Sequence, residues 1–289
     1  MVTEQKTADV NFESLLKIFT VPEGPDSTLT QIEDKLSQNL NQFLREHIVA
    51  EEKPLKEIEK DFSNAHIPEQ PEFVSEHTEH LLDSLVSHSV HTSAPSFIGH
   101  MTSALPYFLM PLSKIMIALN QNLVKIETSK AFTPLERQVL GMLHRLIYQQ
   151  EDNFYSKWMH SANHSLGAFC SGGTIANITA LWVARNNALK ANGDFKGVEK
   201  EGLFKAMKHY GYEGLAILVS ERGHYSLKKA ADVLGIGQEG LVSVKTDSNN
   251  RICPDDLKAK IQELNANRIK PFAVVGVAGT TETGNIDPL

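Results

Sequence analysis

The sequence predicts an α/β fold: a mostly parallel sheet with flanking helices over residues 132–289, preceded by a helical segment over residues 1–131. Three observations carry this reading. From about Phe132 onward, short apolar runs alternate with stretches whose apolar residues recur every three or four positions, the pattern of alternating strands and helices. Polar, glycine-containing loops such as Cys170–Asn177 and Gly279–Asp287 directly follow the apolar runs. Before Phe132 that alternation is missing, and long amphipathic spacing and proline-punctuated loops take its place. Repeated alternation implies right-handed crossovers, and ligands of such sheets sit outside the carboxyl ends of the strands.

In the first segment, the turn Pro22-Glu23-Gly24-Pro25 precedes apolar residues at Leu29, Ile32, Leu36, Leu40, Phe43, Leu44 and Ile48. Steps of three and four draw one stripe along a helix, with Asp26 or Ser27 as its N-cap. A single stripe needs a cover. Packing on its own domain and contact with another subunit both meet that need. The expectation is that residues 1–60 extend from the body and form part of a homodimer contact. A loop marked by Pro54, Pro68 and Pro71 leads to a short helix near Thr78–Ser87.

In the second segment, a helix from Pro134 carries Leu135, Val139, Leu140, Leu143 and Leu146 on one face. Leu166–Cys170 reads as a strand, followed after Gly172-Gly173 by a helix with Ile175, Ile178, Leu181 and Trp182. Leu215–Ser220 is the next strand, and Leu227, Ala230, Ala231 and Leu234 face the core from a helix stopped by Gly235. Leu241–Val244 is a strand, and Pro254 opens a helix presenting Leu257, Ile261 and Leu264. Phe272–Ala278, continuously apolar, reads as the most buried strand, covered on both faces.

Composition narrows the function. Lys+Arg is 28 against Asp+Glu of 35, a net charge of −7, which disfavours nucleic acid and anionic membranes as partners. Cys170 and Cys253 are too few for a disulfide framework or thiolate cluster. The N-terminus lacks a secretory apolar core, and the apolar run Leu105–Leu119 is interrupted by Lys114 and too short to span a bilayer. A reduced, cytoplasmic protein is expected. His77, His80, His88, His91 and His100 crowd one region, and the first four form two pairs at metal-ligand spacing. No cysteine or acidic cluster completes a set, so structural roles outweigh metal binding and no metal is expected.

Three strand-end loops carry the chemistry. In Cys170-Ser171-Gly172-Gly173-Thr174-Ile175-Ala176-Asn177, two glycines at a strand-to-helix turn let backbone amides approach an anion, and Thr174 adds a hydroxyl. The Walker lysine and the dinucleotide glycine pattern are both missing. A tight turn without a ligand accounts for these residues equally well. In Ser220-Glu221-Arg222-Gly223-His224-Tyr225-Ser226, an imidazole placed after a strand can stack on a flat ring or shuttle protons, and Ser226 can cap the following helix. A loop histidine bonded to backbone fits as well. In Gly279–Asp287, Thr280 and Thr281 can donate to an anionic oxygen, or simply line a solvated turn.

In order and spacing, these motifs resemble the group II pyridoxal-phosphate-dependent amino-acid decarboxylases, whose fold is the aspartate-aminotransferase-like fold type I. The resemblance runs from about Ser93 to Leu289 and is strongest to glutamate, 2,4-diaminobutyrate and aspartate decarboxylase-like members. It implies that Gly172, Gly173 and Thr174 hold the phosphate of pyridoxal 5'-phosphate. It implies also that His224 stacks on the pyridine ring and is the candidate proton donor, and that Thr281 lies near the phenolic oxygen or the substrate carboxylate. Phe97 and His100 would face a small amino-acid substrate, from the same subunit or from the neighbouring subunit of a homodimer. Asp287 matches an acidic position whose role the motif does not give.

Members continue into a strand with an aspartate for the pyridine nitrogen and then to a Schiff-base lysine. Neither can be assigned in this sequence, and no motif promotes Lys228 or Lys229. The resemblance therefore implies the major part of a longer decarboxylase, inactive by itself. An aminotransferase of the same fold and a non-catalytic binding or oligomerisation fragment are the alternatives.

Overall fold

The computed structural model describes residues 28–45, 49–50, 52–67, 74–102 and 104–288. Asp26, Ser27 and Ile48, named above for the first helix, lie outside these residues. The chain divides into two compact units, Met1–Asn120 and Gln121–Leu289.

In the first unit the described helices are α1 (Thr28–Arg45), α2 (Leu55–Asp61), α3 (Val74–His80), which continues into a π-helical turn at Leu81–Val86, and α4 (Leu109–Leu119). The α1 stripe is real: Ile32, Leu36, Leu40, Phe43 and Leu44 are half-buried while the intervening polar residues are mostly exposed. It packs against α3 and the π-helical turn of the same chain, and the Phe43 ring lies 4.9 Å from the buried His91 imidazole. The histidines take structural contacts. His88 donates from Nδ1 to the Ser84 carbonyl at 2.8 Å, leaving Nε2 to accept from Lys53 at 3.2 Å. His80 Nδ1 lies 3.4 Å from Ser84 Oγ. Helix α4 comes from the apolar run around Lys114, and no described helix is long and apolar enough to cross a membrane.

The second unit contains α5 (Ile126–Ser129), α6 (Phe132–Tyr148), α7 (Asp152–Trp158), α8 (Gly173–Ala188), α9 (Val198–Glu201), α10 (Leu203–Tyr210), β1 (Gly214–Ser220), α11 (Ser226–Val233), β2 (Leu241–Val244), α12 (Pro254–Ala266) and β3 (Ile269–Val275). The described strands form one parallel sheet in the order β2-β1-β3. Alternation along β1 sorts its side chains between two layers. Leu215, Ile217 and Val219 face one side, where Leu181 of α8 and Leu227, Ala230 and Ala231 of α11 close the core, with Leu189, Phe195 and Ala206 packed around Leu215. Leu218 faces the other, against Val244, Ile252 and the Leu257–Ile261–Leu264 stripe of α12.

Local chemistry sets the helix limits. Pro254 occupies the first position of α12, where its missing N–H costs nothing. Helix α11 ends in a Schellman motif: Gly235, at φ 71°, donates to Asp232, and Ile236 donates to Ala231.

Two expectations are corrected. Leu166–Cys170 carries no strand ladder, because no described strand lies beside it. The most buried strand is β1, not the last one. β3 runs Ile269–Val275, is at the edge of the sheet formed by the described strands and leaves Val274 half exposed. Pro271, which has no N–H for a ladder, sits where the register skips Phe272, a bulge at an edge being one of the places a sheet tolerates proline. The α6 face is also open: Leu135, Leu143 and Leu146 are largely exposed, and only Gly141 is buried, beneath Met159.

Leu218→Ala should cost about 2–5 kcal/mol in urea unfolding, since a fully buried side chain between sheet and helix leaves a cavity. Gly235→Ala should cost about 1–2 kcal/mol, because an L-residue is strained at that positive φ.

Candidate active site

The sheet places its three carboxyl ends side by side, Ser220 beside Val244 and Val219 beside Val275. The loops that follow β1 and β3 therefore leave the same edge of the sheet. Helix α8, packed on β1 and β3, brings the Gly172–Thr174 turn into the same unit.

Gly172 has φ 151°, a backbone conformation side chains rarely adopt. A Cβ at Gly172 or Gly173 would meet no protein atom within 4 Å. The space over this turn is open, and α8 begins without a side-chain cap. Its first amides, with the helix dipole behind them, are chemically suited to a phosphate. Thr174 is half-buried beside them.

Asn177, in the second turn of α8, donates from Nδ2 to Ser226 Oγ at 2.8 Å. Ser226 Oγ lies 2.8 Å from His224 Nδ1, and the Ser226 backbone N–H also points at that nitrogen, at 3.2 Å. Two hydrogen bonds thus connect the helix of the glycine turn to His224. Ser226 does not cap α11 as expected: it is the first helical residue, and its buried hydroxyl goes to the imidazole and to Asn177 instead. His224 is exposed, 4.2 Å between ring centroids from Tyr225, whose ring lies under Lys229 Nζ at 5.1 Å.

The β1 loop is held from its other end by Glu221. Its N–H donates to the Val244 carbonyl, and its carboxylate accepts from Thr246 Oγ1 at 2.5 Å and Thr246 N–H at 3.3 Å. The Thr246 hydroxyl, then the Thr246 amide, holds the Glu221 carboxyl below its ordinary pKa.

The two hydroxyls of the third loop separate. Thr280 is buried, pairs with Thr283 Oγ1 at 2.8 Å and accepts from the Asn285 N–H, which closes the turn. Thr281 is exposed. Asp287, without an assigned role in the sequence, is a structural staple. Its buried carboxylate accepts from Ile252 N–H at 2.7 Å and Val277 N–H at 2.9 Å, joining the β3 loop to the turn before α12.

Phe97 and His100 belong to the first unit. Phe97 is half-buried, with its N–H on the Ala94 carbonyl, and His100 is exposed. A separate cavity of about 330 Å³ is lined by Arg137, Leu140, Met159 and residues 162–166, and by none of the strand-end residues. Among the described residues no three His, Cys, Asp or Glu side chains gather as a metal set.

Sequence reading passed over Asn177 and assigned Ser226 a different task. The Asn177–Ser226 contact joins residues 49 apart and exists only because α8 packs on α11. A histidine followed two residues later by a serine was the one available signal.

The model of the pyridoxal-dependent decarboxylase conserved domain matches residues 54–289, well over half of the chain. Aspartate 1-decarboxylase of Aliivibrio fischeri is 79% identical over 289 residues, which is 100% of this chain and 53% of that protein. An acidic amino acid decarboxylase of Xenopus tropicalis is 31% identical over 209 residues, 72% of this chain and 36% of that protein. Among solved structures, mouse CSAD in its apo form superposes with a TM-score of 0.73 at 25% identity, covering 90% of this chain and 50% of that one. The chain spans about half the length or less of the curated relatives it matches.

Asp287→Ala should destabilise the fold by about 2–4 kcal/mol in denaturant unfolding, because one buried and one part-buried backbone N–H lose their acceptor. Asp287→Asn, keeping one acceptor oxygen, should lose less. Glu221 gives a signed pH dependence. Its lowered carboxyl pKa means a stabilisation fully present above the ordinary value of 4.5 and lost as pH falls through the folded-state value. In Glu221→Gln, thermal unfolding should show a smaller loss of stability below pH 4.5 than the parent shows.

Proposed function

Because the chain belongs to the pyridoxal-dependent decarboxylase family, carboxy-lyases that use pyridoxal 5'-phosphate, we propose that this protein removes the α-carboxylate of a small polar amino acid as CO2, with aspartate first. The observation that carries the substrate is the 79% identity to an aspartate 1-decarboxylase along the whole chain. Loss of that carboxylate and addition of a proton at Cα turn aspartate into β-alanine. Glutamate and 2,4-diaminobutyrate are the next candidates. The matches lend no support to an aminotransferase or a non-catalytic fragment.

The residues present fit the cofactor. The open turn at Gly172-Gly173, the uncapped start of α8 and the Thr174 hydroxyl make a cradle for its phosphate. When bound, the cofactor supplies an electron sink for the pair left behind by the departing carboxylate. His224 would lie against the cofactor ring and deliver a proton to Cα from Nε2, the nitrogen its neighbours leave available. Thr281, exposed at the third strand end, would bind the ring's phenolic oxygen or the substrate carboxylate. Phe97 and His100 would contact the substrate side chain. A cytoplasmic homodimer belongs to the same reading, supported by the incompletely covered stripe of α1.

Gly173→Ala separates ligand binding from folding. A Cβ there meets no protein atom, and alanine favours the helix, so the melting temperature without cofactor should hold or rise. The affinity for pyridoxal phosphate, titrated by absorbance on the full-length protein, should fall about tenfold or more as the methyl crowds the phosphate. Unchanged affinity would remove the turn from the site. For substrate, CO2 release from the full-length enzyme should be fastest with aspartate. Faster turnover of an aromatic amino acid would refute the assignment.

A further inference from the structure

We infer that Ser226 and Asn177 are positioning residues for His224: a relay of two hydrogen bonds from helix α8 sets the tautomer and the plane of the imidazole, with the ring proton on Nε2. The inference rests on the proposed placement of His224 against the cofactor and explains how the chain prepares that side chain for its task.

Ser226 is fully buried, so its hydroxyl must satisfy its donor and its acceptors within the protein. Asn177 Nδ2 can only donate, and at 2.8 Å it occupies a lone pair on Ser226 Oγ. The single hydroxyl proton is then directed to the other close partner, His224 Nδ1, at 2.8 Å. The backbone N–H of Ser226 points at the same Nδ1 from 3.2 Å and is a donor whichever way the Asn177 amide is turned. Two donors converge on one ring nitrogen. Nδ1 is an acceptor, and the neutral ring carries its proton on Nε2.

The anchor of this relay has a second property. Asn177 sits on the helix whose first residues form the glycine turn, so one rigid element carries both the phosphate cradle and the support of the imidazole. A shift of α8 would move both together and preserve their relative placement.

A packing pin between α8 and α11 is the competing explanation, and the charge of one side chain distinguishes the two. In Asn177→Asp the shape is kept, but a carboxylate accepts the Ser226 proton and withdraws it from Nδ1. In Asn177→Ala the serine proton stays on Nδ1. The relay therefore predicts that the isosteric variant is the more damaged one, and a packing pin predicts the opposite.

The experiment uses the full-length holoenzyme at saturating cofactor. Nitrogen-15 solid-state spectra of imidazole-labelled protein, with His224 assigned through His224→Gln, should show an unprotonated Nδ1 and a protonated Nε2. Ser226→Ala and Asn177→Ala should lower kcat about tenfold, the worth of one hydrogen bond, with KM for the amino acid held within about twofold. Asn177→Asp should lower kcat further. A protonated Nδ1 in the parent, or Asn177→Asp more active than Asn177→Ala, would overturn the relay. Should Ser226→Ala not fold, the two Asn177 variants decide between the readings. If His224→Gln keeps full kcat, the proposed role of His224 falls. If His224→Gln is crippled while the Ser226 and Asn177 variants match the parent, the relay alone falls.

Discussion

Burial of β1 on both faces, with a parallel neighbour on each edge, is the constraint on which the second unit depends. Its Leu215, Ile217, Leu218 and Val219 are each worth about 1.5–3 kcal/mol of transfer from water, and they hold helices on two sides at once. A strand fixed in this way has a fixed end. Ser220 is itself buried, so the loop from Glu221 to Tyr225 starts from an immobile point and returns to another at Ser226. The position of His224 is a consequence of core packing well before it is a matter of its own contacts.

A second regularity governs the loops. They are closed by short polar side chains that accept from backbone amides: Asp287 from Ile252 and Val277, Glu221 from Thr246, Thr280 from Asn285. At Asp287 and Thr280 the contact replaces water on groups that would otherwise be costly to shelter, while Glu221 ties its loop at the exposed surface. The start of α8 follows a different rule, having glycines in place of a capping side chain. The amides of that first turn are thereby left without a side-chain acceptor, the feature on which the proposed phosphate cradle rests.

The legible parts of the sequence were those encoded within a few residues. Helix α11 could be read because Leu227, Ala230 and Ala231 face one way and Gly235 supplies the positive φ that ends it. The Gly172–Thr174 turn could be read as a turn because paired glycines after an apolar run mark a change of direction, and α8 starts there. Features that depend on distant partners were harder. Leu166–Cys170 has the composition of a strand, but a strand is defined by its neighbour. Phe272–Ala278 is apolar enough for the middle of a sheet, but apolarity does not reveal whether a second face is covered. Asp287 could be given no role from the sequence because its two amide partners are 35 and 10 residues away. Ser226 looked like a cap because the sequence does not show that a histidine and an asparagine claim its hydroxyl.

The exposed margin of β3 has a consequence for handling the protein. Phe272–Val275 is a short apolar segment with strong strand propensity, and among the described strands it is paired on one side only, so in this segment of chain its other side presents backbone donors and acceptors on which a foreign strand can dock. Lys270 and Pro271 stand immediately before it, a charge and a residue without a donor, so the first part of this edge resists recruitment and the second part does not. Intermolecular β-pairing in concentrated solutions of this chain would therefore begin at the carboxyl-terminal half of the strand, next to the loop that carries Thr281. Aggregation and occlusion of the proposed site would then be one and the same event.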